Sequence, residues 1–224
     1  MIRRQPGIPV KTMTDYSLDS FIKCPYTFYY QHILMLHPSQ IEWRQMTQCM
    51  INHVVQHYYQ LPQEEQNKLN IMKLIYNYWE NIDSGLFQSQ VHYYTVLAKT
   101  TDYLLRYLSN TKKNKPPLFL YQKFSTYIEE LETDLTVTLD VVEWASHSFT
   151  VNTFLVEADE EIILFYHYLL VVFTNAAFGK LPVRIEINTV LDGKKHTFLP
   201  EKNDVVEGIN FLDNFRSCIR NHIH

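Results

Sequence analysis

The sequence predicts a mixed α/β fold with a helical N-terminal half, and three observations carry that prediction. Up to about residue 108 the apolar residues recur at helical spacing. The run Lys112-Lys113-Asn114-Lys115-Pro116-Pro117 then breaks the pattern. Beyond it apolar and polar residues alternate with the period of a strand, and the elements read strand, strand, strand, helix, strand, strand, helix.

Each element has its own signal. Asp15 or Ser17 caps a helix predicted over 15–32, with Leu18, Phe21, Ile22, Phe28 and Tyr29 on recurring faces and Pro25 forcing a kink or a new start. A second helix over 41–60 is marked by Trp43, Met46, Met50, Val54 and Tyr58, and Pro62 closes it. Glu64 and Glu65 open a third helix, which runs to Trp79 on Leu69, Met72, Leu74, Ile75 and Tyr78; a fourth spans 89–108. Strands are predicted over 118–128, 135–144 and 149–156, the last two joined by a turn at Ser146-His147-Ser148. Asp159-Glu160-Glu161 places acids at the favourable end of a helix over 159–175, which Gly179 and Pro182 end. Strands over 183–191 and 195–199 form a hairpin around Asp192-Gly193, and a last helix covers 205–219.

A chain of 224 residues fits one domain, read as 1–224 with a helical half over 15–110 and a sheet-bearing half over 117–224. With 46% hydrophobic and 20% charged residues it has a globular composition. Only 5 glycines stand against 16 Tyr, 13 Phe and 3 Trp, and no Gly-rich phosphate-binding motif occurs. The cysteines Cys24, Cys49 and Cys218 are odd in number and far apart, which supports neither a disulfide framework nor a paired-cysteine metal site. The N-terminus is basic without the apolar stretch of a secretory signal. The longest apolar run, 162–173, is shorter than the ~20 residues a membrane span needs. The expectation is a soluble, cytoplasmic protein that does not engage a membrane.

Charge is unevenly spread within the net −4. Residues 124–179 hold ten acids and no Lys or Arg. Contacts to a polyanion are therefore expected on the flanks, at Arg3 and Arg4 or at Lys112, Lys113 and Lys115.

The stretch Tyr16-Ser17-Leu18-Asp19-Ser20-Phe21-Ile22-Lys23-Cys24-Pro25-Tyr26-Thr27-Phe28-Tyr29-Tyr30 resembles the opening of RecB-like nucleases of the PD-(D/E)XK superfamily. The matching positions are Ser17, Phe21, Cys24, Pro25, Phe28 and Tyr30. The strand–strand–strand–helix–strand order of residues 118–191 is similar to the same family's core. The resemblance implies a restriction-endonuclease-like α/β core, with a central mixed sheet flanked by helices. It also implies a Mg²⁺ site built from a helix His, a strand Asp and a (D/E)-x-K triplet on the next strand. Carboxylates there hold the hard cation, while metal and Lys activate water and stabilise charge at phosphorus.

By that resemblance the His falls on His53, four residues after Cys49 where the family has Gly, and the strand Asp falls on Asp140. The triplet falls on Asn152-Thr153-Phe154, which lacks both the carboxylate and the Lys. On the following helix Ile162 stands where the family has Gln, and Tyr166 is kept. In the sequence the nearest cations on either side are Lys123 and Lys180. Losing one transition-state cation or hydrogen-bond donor typically costs about 10²–10³ in rate, and here two groups are replaced. The expectation is a nuclease-like protein without nuclease activity and without a bound cofactor. It would act in DNA-related processes by binding DNA or a partner such as a helicase or nuclease subunit, with His53, Asp140 and Asn152 as relic positions lying within about 10 Å of one another. The alternative is an active Mg²⁺-dependent DNA nuclease using Asp140 and His53 with Glu157 or Glu143; a third is a purely structural interaction module.

Plainer readings stand beside these. His53 fits a structural position on its helix, and Asp140 a polar residue at a strand end. The i, i+4 pair His53 and His57 has zinc-helix spacing but neither an intervening Glu nor a third ligand. The resemblance includes relatives that hold an iron–sulfur cluster on four cysteines, for which this chain has too few. The tyrosines Tyr26, Tyr29, Tyr30, Tyr58, Tyr59, Tyr93 and Tyr94 are placed either to stack bases or to fill core and rim.

Overall fold

The computed structural model of the chain describes residues 12–14, 42–110 and 116–222. The helix expected over 15–32, with its Cys-Pro motif, and the basic residues Arg3, Arg4, Lys112, Lys113 and Lys115 lie outside the described residues. Helices α1 (Trp43–Gln60), α2 (Lys68–Trp79) and α3 (Gln90–Asn110) come first, followed by strands β2 (Phe119–Ile128), β3 (Thr133–Trp144) and β4 (Phe149–Leu155). Helix α4 (Glu160–Phe178), strands β5 (Arg184–Thr189) and β6 (Lys194–Phe198), and helix α5 (Lys202–His222) complete the chain. This is the expected order. One strand was not expected: β1 (Thr12–Thr14) joins the sheet in parallel with β3. Three residues are too few to show a period, so only their pairing reveals them.

Local chemistry sets the element ends. Asn67 caps α2 by accepting the Asn70 N–H at 3.1 Å, and a 3₁₀ turn at Gln63–Glu65 occupies the stretch expected to open that helix. Asp159 caps α4 by accepting the Ile162 N–H at 2.9 Å. Gly179, at φ 62°, closes α4 in the left-handed conformation that glycine adopts without a Cβ penalty. Gly193, at φ 71°, does the same in the β5–β6 hairpin.

The six strands form one mixed sheet between two helical layers. On one face Leu135, Val137, Leu139, Val151 and Ile185 pack with α4 and Leu212 of α5. Among the described residues α4 is the one helix long and apolar enough to cross a membrane, and here its buried side chains build this core. On the other face Val141, Phe154 and Val156 pack with α1, α2 and α3, where Ile51, Val54, Ile71 and Leu104 are fully buried. Strand alternation slips at Asp140, because Leu139 and Val142 enter the first core and Val141 the second. The β2–β3 ladder is interrupted between the pairs Leu120–Val141 and Gln122–Leu139, where Tyr121 has a left-handed φ of 47°. That conformation costs a non-glycine residue roughly 1–2 kcal/mol.

Candidate functional site

The site is a fork in the sheet. One edge of β3 is shared: residues 134–136 pair with β1, and residues 141–144 pair with β4. Past Asn152, β4 leaves β3 and continues on β5 alone, through Thr153, Phe154 and Leu155. The backbone that β4 exposes towards the fork needs partners, since a buried unpaired amide costs about as much as a lost hydrogen bond. Side chains supply them. Asp140 Oδ2 accepts the Phe154 N–H at 2.9 Å. Gln48 of α1 donates through Nε2 to the Phe154 carbonyl at 2.7 Å and accepts the Val156 N–H on Oε1 at 2.9 Å. Its Nε2 also donates to Asn52 Oδ1, one helical turn on, at 2.9 Å. The Gln48 amide thus works as a short substitute strand. Sequence reasoning missed Gln48; its only trace is the polar i, i+4 pair Gln48 and Asn52 within a helix of buried Met50, Ile51, Val54 and Val55.

Asn152, Thr153 and Phe154 lie on β4, with Asn152 opposite Val141 and beside Glu186 of β5. Phe154, 1% exposed, meets the Tyr107 ring edge-to-face at 4.9 Å, so an aromatic core contact occupies the position where the resemblance expects Lys. Asn152, 2% exposed, extends Nδ2 towards Glu143 Oε2 at 3.4 Å. The Tyr59 hydroxyl is buried against Tyr107 and Glu143, and the Tyr121 hydroxyl is buried without a hydrogen-bond partner among the described residues. Burial raises the pKa of both phenols, reinforced by Glu143 at Tyr59 and by Asp140 at Tyr121.

Beside the fork a cleft of about 980 Å³ opens along the ends of β3–β6 and α3, with Tyr107, Glu143, Asn152, Arg184, Glu186 and Lys195 in its lining. Glu186 is 7% exposed and paired twice, with Arg184 Nε at 3.0 Å and Lys195 Nζ at 2.9 Å. Lys195 Nζ also lies 5.7 Å from the Tyr107 ring centre. Burial, and then the negative charge of Glu186, raises the Glu143 pKa. The cations correct a sequence expectation. Lys123 and Lys180 are nearest along the chain, but strand pairing brings Arg184 and Lys195 onto Glu186, the neighbour of Asn152 on β5.

Asp140 and Asn152 therefore sit on neighbouring strands at the fork, with Asp140 inside β3 rather than at its end. The contacts of His53 lie within α1 and with α2. This histidine lies on the exposed side of α1, its ring stacked on Tyr78 of α2 at 5.1 Å, with Nδ1 2.7 Å from the Cys49 carbonyl. His57 Nδ1 lies 2.9 Å from the same tyrosine's hydroxyl. Glu157, weighed as a further ligand, pairs with Arg44. Tyr58 is buried and donates to the Leu108 carbonyl at 3.0 Å, whereas Tyr94 is exposed. Among the described residues no three His, Cys, Asp or Glu side chains are grouped to hold a metal ion. Asp140 is engaged by a backbone amide and Asn152 offers only a neutral carbonyl oxygen. These residues do not fit a Mg²⁺ site, which calls for near-octahedral oxygen ligands with carboxylates among them.

No family model matches the sequence, and no curated protein matches it. Among solved structures, the fold is similar to the crystal structure of a Eubacterium rectale protein named "Putative exonuclease". The match has a TM-score of 0.52 and 9% identity, and covers 96% of this chain and 83% of that one. The chain thus shares a mixed α/β fold with that protein.

Proposed function

We propose that this chain is a RecB-like nuclease-fold protein that does not cleave phosphodiesters and serves instead as a binding module in DNA-related processes. The observation that carries this reading is the Asp140–Phe154 hydrogen bond. The carboxylate that the family resemblance assigns to metal is used to satisfy strand backbone, and Asn152 and Phe154 take the places of the other carboxylate and the Lys. Without a grouped set of carboxylates to hold a metal ion, activation of water by a bound cation has no local source.

The test is an assay of single- and double-stranded DNA with Mg²⁺ or Mn²⁺. The expected result is no product. Metal-dependent cleavage by the unmodified protein, abolished by Asp140→Asn, would overturn the reading in favour of an active nuclease. Gain of slow cleavage in the double variant Asn152→Asp, Phe154→Lys would support the relic reading. DNA contacts on the flanks, at Arg3, Arg4, Lys112, Lys113 and Lys115, are proposed to be weak. Each phosphate neutralised adds about 0.9 to the slope of log K against log salt, so filter binding at two salt concentrations, with and without these side chains, measures their share.

A further inference from the structure

We infer that the cleft beside the fork binds a single nucleotide, with its phosphate on Arg184 and Lys195 and its ring against the aromatic wall of α3. The inference rests on reading the chain as a non-cleaving binding module, and it names what the module holds. Three cations line the cleft, Arg106, Arg184 and Lys195, in a chain whose net charge is −4. They come from α3, β5 and β6, outside the segment that carries no Lys or Arg. Arg184 and Lys195 meet on the two oxygens of Glu186. That carboxylate fixes both in place without using up their donors. Arg184 contacts it through Nε, leaving the other guanidinium N–H groups, and Lys195 has three N–H donors in all. Arg106 pairs with Asp102 on its own helix and stands beside Gly193 of the β5–β6 hairpin. Arg184 and Lys195 therefore converge on one point of the cleft, with Arg106 nearer the hairpin.

Tyr103 and Tyr107 of α3 line the adjoining wall, stacked on each other at 6.3 Å. The Tyr103 hydroxyl donates to Asn188 Oδ1 at 2.6 Å, and Phe154 abuts Tyr107, so both rings are held in place. Trp144, 60% exposed, adds apolar surface to the lining. A flat ring carrying a phosphate suits this combination of converging cations and aromatic surface beside them. The cleft volume lies within the usual small-molecule range of roughly 300–1,000 Å³. Cations gathered at one point, rather than spaced along a track, favour one phosphate over a running strand, which needs a positively charged groove along its backbone. The raised pKa of Glu143 agrees with this, since a carboxyl nearer its neutral form repels a phosphate less.

The experiment is calorimetric titration of the full chain with AMP, dTMP, inorganic phosphate and a 15-nucleotide oligo-dT. The unmodified protein is compared with Lys195→Ala, Lys195→Arg and Arg184→Gln, all checked for an unchanged melting temperature. The expected result is saturable binding of a mononucleotide, tighter than that of inorganic phosphate. It should weaken about tenfold or more in Lys195→Ala and Arg184→Gln and recover in Lys195→Arg. Absence of mononucleotide binding at millimolar concentration would overturn the inference. So would binding that the variants leave unchanged, or binding of the oligonucleotide alone. Where a variant unfolds, paramagnetic line broadening of the Tyr103 and Tyr107 ring signals by Mn²⁺-loaded nucleotide on the unmodified protein replaces it. Unbroadened rings count against the cleft. Cleavage of the oligonucleotide during titration would overturn the non-cleaving reading and leave the cleft assignment to be judged on the variants.

Discussion

The Asp140 carboxylate accepts the Phe154 amide proton at 2.9 Å across the point where β4 leaves β3. One bond thus explains how the sheet forks without leaving the Phe154 amide unpaired. Asp140→Ala should destabilise the fold by about 1–3 kcal/mol, the cost of leaving a buried donor unsatisfied. Asp140→Asn keeps an accepting oxygen and should lose markedly less. Urea denaturation of the three proteins checks this. Equal losses for Ala and Asn would show that the charge, rather than the hydrogen bond, is what matters.

Gln48 closes the same fork from the helical side, donating to the Phe154 carbonyl and accepting from Val156. Gln48→Ala should cost about 1–3 kcal/mol, and Gln48→Glu, which can accept but not donate, should also be destabilising. Native-state hydrogen exchange gives the local reading. The Val156 amide should lose protection in Gln48→Ala while β5 amides keep theirs. Uniform loss across the sheet would contradict a local capping role.

Helices α4 and α5 cross closely at Gly208, where an added Cβ would approach Val172 Cγ2 to 2.8 Å. Two effects oppose each other in Gly208→Ala. Helix propensity gains about 1 kcal/mol, and overpacking costs about 1–3 kcal/mol. The substitution should be neutral to destabilising alone and should turn stabilising in a Val172→Ala background. Thermal melts of the four proteins in this double-mutant cycle test it; the same sign in both backgrounds would refute the contact.

Glu143 has its pKa raised above the ordinary 4.5 by burial and by Glu186. A carboxyl whose folded pKa is raised holds its proton more tightly in the native state than in the unfolded chain. Its contribution is then fully present below 4.5 and is lost as pH rises through the raised value. Glu143→Gln should therefore gain on the unmodified protein between pH 4 and pH 7. Melting temperatures at both pH values measure the gap. A gap that does not change with pH would rule out this cause.

The element order, most strand limits, the Asp159 cap, the Gly179 stop and the Asp192-Gly193 hairpin were legible in the sequence. Each rests on spacing or side-chain chemistry within a few residues. The placement of Asn152 and Phe154 on one strand face was legible for the same reason, since alternation along β4 is local. Tertiary structure alone decided the rest. Gln48 meets Phe154 across 106 residues of chain, and Lys195 reaches Asn152's neighbour Glu186 only because β5 pairs with both β4 and β6. The side of α1 that turns to the sheet was settled by packing, which sends Gln48 to β4 and His53 to Tyr78. Periodicity records which residues share a face, but not what lies opposite that face. Strand pairing and helix docking set that, through the need to bury apolar surface and satisfy backbone groups together.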